Sequence, residues 1–302
     1  LCRHDLSVRH RTPSRQELIR SASQSLQTRM KVEPKPWRYY ESDMRTTFSE
    51  LIQNTDPQVE QIPDGWKQGR TAYGGLTAAL MLVRAQAMLD TPLPLRSALV
   101  NFTGPVSEPP IIETAILRQG RNVTTLGARG DIDGKAVCTA TFSFGAARDS
   151  HLNVDCAAPD APDPDDCPAF LDVDSPFIPT FTRNFETRLI EGNRPMSGGT
   201  SKRLRCWARH GDEASREGEA ALLCLADILP PAALTIMKQI GPVSSMTWIC
   251  NILRDPGTDE GWYQVEADLT AAVDGYSSQV MRIWNRRGDL IVEGMQSIAI
   301  FA

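Results

Sequence analysis

Apolar residues recur at helical spacing from Gly75 to about Leu89, and the runs that follow change period. "RSALVNFTGPV", "IIETAILRQG", "VTTLGARGDI" and "AVCTATFSFG" are short, rich in β-branched and aromatic residues, and separated by Gly and Pro, as strands are. The same order returns later in the chain. "GEAALLCLADIL", stopped by Pro230 and Pro231, precedes "SSMTWICNIL", "WYQVEADLTA", "SSQVMRIWNR" and "LIVEGMQSIAIF". One helix followed by four strands therefore occurs twice. The turn "DGK" at 133–135 lies about 154 residues before "RGD" at 287–289, the separation expected of one duplicated domain-sized unit. A helix beside consecutive strands joined by short turns gives an antiparallel sheet packed on that helix, an α+β arrangement rather than alternating βαβ. The edges of two such sheets can pair with each other or with another copy, so a pseudo-dimer within the chain is expected and a homo-oligomer is allowed.

The two halves are separated by "ARDSHLNVDCAAPDAPDPDDCPAFLDVDSPFIP", where Pro and Asp leave little to bury and no N–H ladder to build. The expected division is a first domain over 44–148, a linker over 149–178 and a second domain over 179–302. Residues 1–43, rich in Arg and Ser and poor in acids, read as a disordered extension, with Met30 and Met44 as candidate starts.

Composition narrows the function. Of 302 residues 41% are apolar and 23% charged, and the net charge of −5 offers no basic field for nucleic acid or an anionic membrane. The seven cysteines are scattered and never spaced C-x-x-C, which argues against a disulfide framework and a zinc ribbon and for a reducing, cytoplasmic setting. The four histidines fall in the N-terminal extension (His4, His10), the linker (His151) and what reads as a charged loop (His210). With no nucleophile elbow either, a Ser-His-Asp hydrolase is disfavoured. No metal-ligand or phosphate-loop motif is present, and "GNRPMSGGTSKR" reads as a flexible turn, so no metal or cofactor is expected.

Four stretches then carry a resemblance: "GRTAYGGLTAAL" at a helix entrance, "ADILPPA" closing the second helix, "PVSSMTW" opening a strand, and "GDLIVEGMQSIAIF" at the end. In their order and spacing, over residues 44–302, they resemble the double-hotdog acyl-CoA thioesterases of the thioesterase II type. The resemblance implies a tandem hotdog, each half an antiparallel sheet wrapped on one long helix, that hydrolyses acyl-CoA. It also implies a catalytic trio of an Asp on the second helix, a Thr or Ser at the start of the next strand, and a Gln on the last strand. Those positions match Asp227, Ser245 and Gln296, with Ser in place of Thr and Ser244 one residue away.

The residues support part of this on their own. Asp227 follows Leu223 and Cys224 by four and three residues, sharing an apolar helical face where a carboxylate needs a partner. A helix dipole also opposes an acid at its C-terminus. The alternative is an ordinary terminal residue bonded to a nearby N–H. Gln296 lies in a strand with Ile298 and Ile300 on its own face, where an amide must find several hydrogen bonds, whether as a catalytic group or as a satisfied core amide. Ser245 taken singly reads as a strand-end hydroxyl. Aligning the halves on their turns sets Phe142 opposite Gln296, so only the second half carries the polar set.

Gly74 and Gly75 stand at a helix entrance, where free N–H groups and partial positive charge can meet a thioester carbonyl or where a helix can pack closely on a neighbour. The first role predicts that Gly75→Val lowers turnover and leaves folding stability largely intact. The function that competes with hydrolysis is non-hydrolytic binding of acyl-CoA or acyl-carrier protein in the same groove. A hydratase is disfavoured, because that branch of the fold pairs an Asp with a His.

Overall fold

The computed structural model describes residues 46–53, 61–239 and 241–301, all within one unit of the chain, Tyr40–Ala302. The proposed extension over 1–43 lies outside the described residues. A short helix α1 (Phe48–Gln53) and a two-residue hairpin, β1 (Lys67–Gln68) with β2 (Thr71–Ala72), lead to helix α2 (Gly74–Gln86). Strands β3 (Leu95–Phe102), β4 (Ile111–Gln119), β5 (Val123–Ile132) and β6 (Lys135–Gly145) follow. After the Pro/Asp-rich stretch come β7 (Phe185–Glu191), β8 (Arg203–His210), helix α3 (Gly218–Ala226), β9 (Val243–Ile252), β10 (Tyr263–Val273), β11 (Tyr276–Asn285) and β12 (Leu290–Ile300).

All strands but the small hairpin join one ten-stranded antiparallel sheet in the order β4-β5-β6-β3-β9-β12-β11-β10-β8-β7. The two halves meet where β3 pairs β9, and the order of four strands is mirrored about that seam. An approximate two-fold through the Leu99–Ile249 pair exchanges Ala98 with Trp248. Their partners on the next strands are Phe142 and Gln296, so the register confirms the equivalence read from the turns. At the β5–β6 turn Asp133 and Gly134 both have positive φ (50° and 72°), the two-residue hairpin geometry that "DG" encodes.

The helices differ in length. α2 runs for 13 residues and is buried almost all round, whereas α3 has nine, so the expectation of one long helix in each half is not met by the second. Residues Asp227–Leu229 of the predicted helix leave it because Pro230 and Pro231 force the preceding chain out of helical geometry. The two helices pack antiparallel on the concave face. Gln86 Nε2 donates to Glu219 at one end (2.8 Å) and the Tyr73 hydroxyl to the Cys224 carbonyl at the other (2.9 Å).

Strands β7 and β8 extend only the second half and were not anticipated. In β8 the side chains of Leu204, Cys206, Ala208 and His210 enter the core, while Arg203, Arg205, Trp207 and Arg209 take the other face, where Arg205 and Trp207 are buried as well. His210 is thus the buried last residue of a strand rather than part of a charged loop, its ring bonded to the Ala221 carbonyl (2.9 Å). The Pro/Asp-rich segment lies over the outer face of the second half. There the Trp284, Trp207 and Gln264 side chains donate to the carbonyls of Cys156, Pro162 and Pro159.

Candidate active site

Antiparallel packing sets the C-terminus of α3 against the N-terminus of α2. Asp227 is the residue that ends α3, with φ −94° and ψ 9°. Its own helix opposes its charge, but its carboxylate accepts the backbone N–H of Gly75 at the entrance of α2, where the partial charge is positive. Gly74 makes the approach possible: a Cβ there would stand 2.7 Å from Asp227 Oδ2.

Gln296, in the last strand β12, donates from Nε2 to Asp227 Oδ1 at 3.0 Å. Its carbonyl end is held by a residue that sequence reasoning missed. Gln279 on β11, directly across from Gln296, donates from Nε2 to Gln296 Oε1 at 3.0 Å and accepts from the backbone N–H of Ala232 at 2.8 Å. Both amides are buried. The signal was available, since Gln279 is a polar residue at an inward position of a strand whose inward neighbours are Ser277 and Met281. Trp248, across from Gln296 on the other side, buries its indole N–H without a partner among the described residues.

Burial pushes the Asp227 carboxyl up to about 7, against the opposing pull of its bonds to Gln296 and Gly75. Burial also raises Tyr73, Cys224 and Cys250 well above their usual ranges, and the charge of Asp227 adds to each, which keeps all three protonated. Asp227 as a residue is only half-buried, the one such position between Ala220 and Leu229.

Ser245 is brought to this face by an irregularity. The β9–β12 register shifts between Ser297 and Ile298, so Ser245 pairs with the fully buried Ile298 and lies on the face that carries Gln296 and Trp248. Ser244 is exposed, its hydroxyl on the Ser245 carbonyl at 3.5 Å. Asp227 and Gln296 are therefore joined directly, while the Ser245 hydroxyl bonds to neither among the described residues.

The two glycines divide their roles. The Gly75 N–H is already engaged by Asp227, and a Cβ at Gly75 would run into the Cys224 carbonyl oxygen and the Tyr73 ring. At Gly75 the two helices are in close contact. The expectation that Gly75→Val leaves stability largely intact is therefore corrected: the side chain has no room. The N–H of Gly74 has no acceptor among the described residues, and the Gly74 backbone lies beside Asp227 Oδ2. From the first turns of α2 an apolar cleft extends between the helix and the β4 side of the sheet. Leu51, Ile62, Leu76, Leu80, Val106 and Ile112 contribute to its lining, and it encloses about 440 Å³ of empty space, part of it open to solvent. Among the described residues no group of three or more His, Cys, Asp and Glu is arranged to hold a metal ion, and no helix is long and apolar enough to cross a membrane.

Comparison with known families finds the acyl-CoA thioesterase N-terminal domain over residues 62–145 and the acyl-CoA thioesterase C-terminal domain over 159–300. No curated protein matches the chain. Among solved structures, a conserved hotdog-fold protein of unknown function from Alicyclobacillus acidocaldarius is similar at 27% identity and a TM-score of 0.73, covering 80% of this chain and 92% of its own. The acyl-CoA thioesterase II TesB2 of Mycobacterium marinum is similar at 20% identity and a TM-score of 0.61, covering 76% and 89%. The tesB protein of Mycobacterium avium subspecies paratuberculosis is similar at 18% identity and a TM-score of 0.63, covering 78% and 90%.

Proposed function

The chain belongs to the acyl-CoA thioesterase family, and on that premise we propose that it hydrolyses acyl-CoA thioesters to the free acid and CoA, with Asp227 as general base. The observation that carries this reading is the environment of Asp227: a carboxyl raised to about 7 by burial, held by a Gln amide and set against a helix N-terminus. A base of that strength is half ionised near neutral pH and can still take a proton.

In the proposed reaction a water bound by Asp227 and Gln296, with the Ser245 hydroxyl as third partner, attacks the thioester carbon. Its proton passes to Asp227 as the C–O bond forms. The carbonyl oxygen becomes negative and is met at the entrance of α2, where the Gly74 N–H is the free donor. Collapse of the tetrahedral species breaks the C–S bond, and the departing thiolate takes the proton from Asp227, which leaves acid, thiol and enzyme unchanged. The apolar cleft beside α2 suits an acyl chain. We assign the substrate as free acyl-CoA and place the enzyme in the cytoplasm, in keeping with the free thiols of the described cysteines. The domain division at 44–148, 149–178 and 179–302 belongs to the same proposal. So does homo-oligomer formation through β4, an edge strand that carries exposed Ile111, Ile116 and Leu117.

The separation of Ser245 from the other two side chains favours a second reading, binding of acyl-CoA or acyl-carrier protein without hydrolysis. Thiol release from a panel of acyl-CoA esters, wild type against Asp227→Asn, separates the two. Release that is lost in the folded variant supports hydrolysis; affinity for a non-hydrolysable acyl-CoA with no release from any ester supports binding.

A further inference from the structure

We propose that Gln279 is a positioning residue that fixes which end of the Gln296 amide faces Asp227, and so decides which oxygen of Asp227 is left to handle the proton. The proposal rests on the reading of Asp227 and Gln296 given above. Three hydrogen bonds in series carry it, from Ala232 N–H to Gln279 Oε1 (2.8 Å), from Gln279 Nε2 to Gln296 Oε1 (3.0 Å), and from Gln296 Nε2 to Asp227 Oδ1 (3.0 Å).

A carboxamide has a donor end and an acceptor end of nearly equal shape, and what surrounds it determines its sense. Gln296 lies between a carboxyl, which accepts when ionised and can donate when protonated, and another amide. Those two neighbours alone leave it free to turn as Asp227 changes state. The series, however, ends on a backbone N–H, which only donates and cannot turn. Ala232 N–H requires Gln279 Oε1, which turns Gln279 Nε2 toward β12. That donor requires Gln296 Oε1, which leaves Gln296 Nε2 for Asp227 whatever the charge there. Both glutamines are buried, so no solvent competes for these positions.

The consequence falls on Asp227. With Oδ1 accepting from Gln296 in both charge states, Oδ2, the oxygen beside Gly74 and the entrance of α2, is the one placed to take a proton from water. A Gln296 free to turn would offer its carbonyl to the protonated carboxyl, stabilise that form, and leave less of Asp227 ionised to act as a base near neutral pH. The donor for Gln279 comes from the turn at Ala232, which follows Pro230 and Pro231. The segment that ends the Asp227 helix thus also sets the orientation of the strand residue that binds it.

Asp-selective ¹³C labelling follows the carboxyl titration of Asp227 directly, with Asp227→Asn identifying its resonance, in wild type, Gln279→Glu and Gln279→Leu. Gln279→Glu keeps the acceptor for Ala232 but cannot donate to Gln296 when ionised. Gln279→Leu removes both bonds. The expected result is an upward shift of the Asp227 midpoint by about one pH unit in the Glu variant, where the added negative charge acts together with the lost hydrogen bond, and a smaller upward shift in the Leu variant, which adds no charge and reports the lost bond alone. The acidic limb of kcat/KM moves by the same amount, with kcat lowered and KM little changed. If folded Gln279→Leu leaves Asp227 at the wild-type midpoint, so that only the charged Glu variant shifts it, Gln279 does not position Gln296. If the midpoint shifts while wild type releases no thiol, the positioning role stands and the hydrolase reading falls.

Discussion

A carboxyl raised to about 7 by burial has a consequence for folding that does not depend on any substrate. In the unfolded chain Asp227 returns to its usual value of 3.8, so the native state holds this proton more tightly than the unfolded state does. Stability from this residue is therefore full below pH ~4 and is lost as pH rises toward 7. At about 1.4 kcal/mol per pH unit, ionising Asp227 in the folded protein costs up to about 4 kcal/mol, of which about 2–3 kcal/mol falls between pH 5 and 8. Its partial solvent contact makes these upper figures. Asp227→Asn removes the dependence. His210 works in the opposite sense over part of the same range: burial pushes it down to about 4, so stability is lost as pH falls from about 6.5 to 4. The two slopes offset each other in the wild type, and a flat overall profile would hide both. Because His210 is common to both proteins, it cancels in the difference between variant and wild type. Thermal unfolding of the pair at pH 5 and pH 8 should show the variant gaining on wild type by about 5 °C at the higher pH. A difference in melting temperature that stays constant from pH 5 to 8 would show that Asp227 titrates as an ordinary carboxyl, and its assignment as a base tuned to neutral pH would go with it.

The remaining predictions test neighbouring parts of the same arrangement. In the Asp227→Asn background, lowering pH from 6.5 to 4 should cost about 3 kcal/mol by denaturant titration, and His210→Leu should flatten that slope; an unchanged slope would mean that His210 is not held neutral. Gly75→Ala should destabilise by about 1–3 kcal/mol, because its methyl meets the Cys224 carbonyl; a wild-type unfolding midpoint would contradict the close helix crossing. Ser245→Ala should lower kcat about tenfold while Ser244→Ala leaves it unchanged, and the reverse order would put Ser244, not Ser245, on the face that carries Gln296.

Much of the fold was legible because strand period and turn chemistry are local signals. The eight strands anticipated after the two helices all exist, with ends shifted by a few residues at most except at the Pro-bounded end of β3. Even the equivalence of Phe142 and Gln296 could be read from two short turns. Strands β7 and β8 escaped because they precede the helix in one half only, so the duplication gave no reason to look for them. His210 was misplaced for the same reason. The length of α3 was overread because "ADIL" continues the apolar pattern, and the effect of the prolines reaches back over three residues. In the candidate site, Asp227 and Gln296 stood out as polar residues among apolar neighbours. Gln279 met the same criterion and went unnoticed, since its significance lies in a partner two strands of sequence away. The cost of a side chain at Gly75 was not legible at all: it is set by a carbonyl on another helix, about 150 residues distant.

The duplication explains why a carboxylate so poorly suited to its own helix sits where it does. At the C-terminus of α3, Asp227 faces the negative end of its helix dipole, an arrangement a single domain would disfavour. Pairing two related helices antiparallel sets that end against the positive entrance of α2, so the second half supplies the acid with its Gln296 partner and the first half supplies the helix entrance that offsets its charge. The reciprocal end of the helix pair has the components reversed. Glu219 begins α3, where its own helix favours it, and takes the Gln86 amide and the Leu95 N–H. The strand position corresponding to Gln296 is Phe142 in the first half, so no buried amide series can form there. The symmetry that builds the scaffold would give two such polar clusters; the substitution of one core side chain and the placement of one acid leave a single candidate site among the described residues, where both halves are needed.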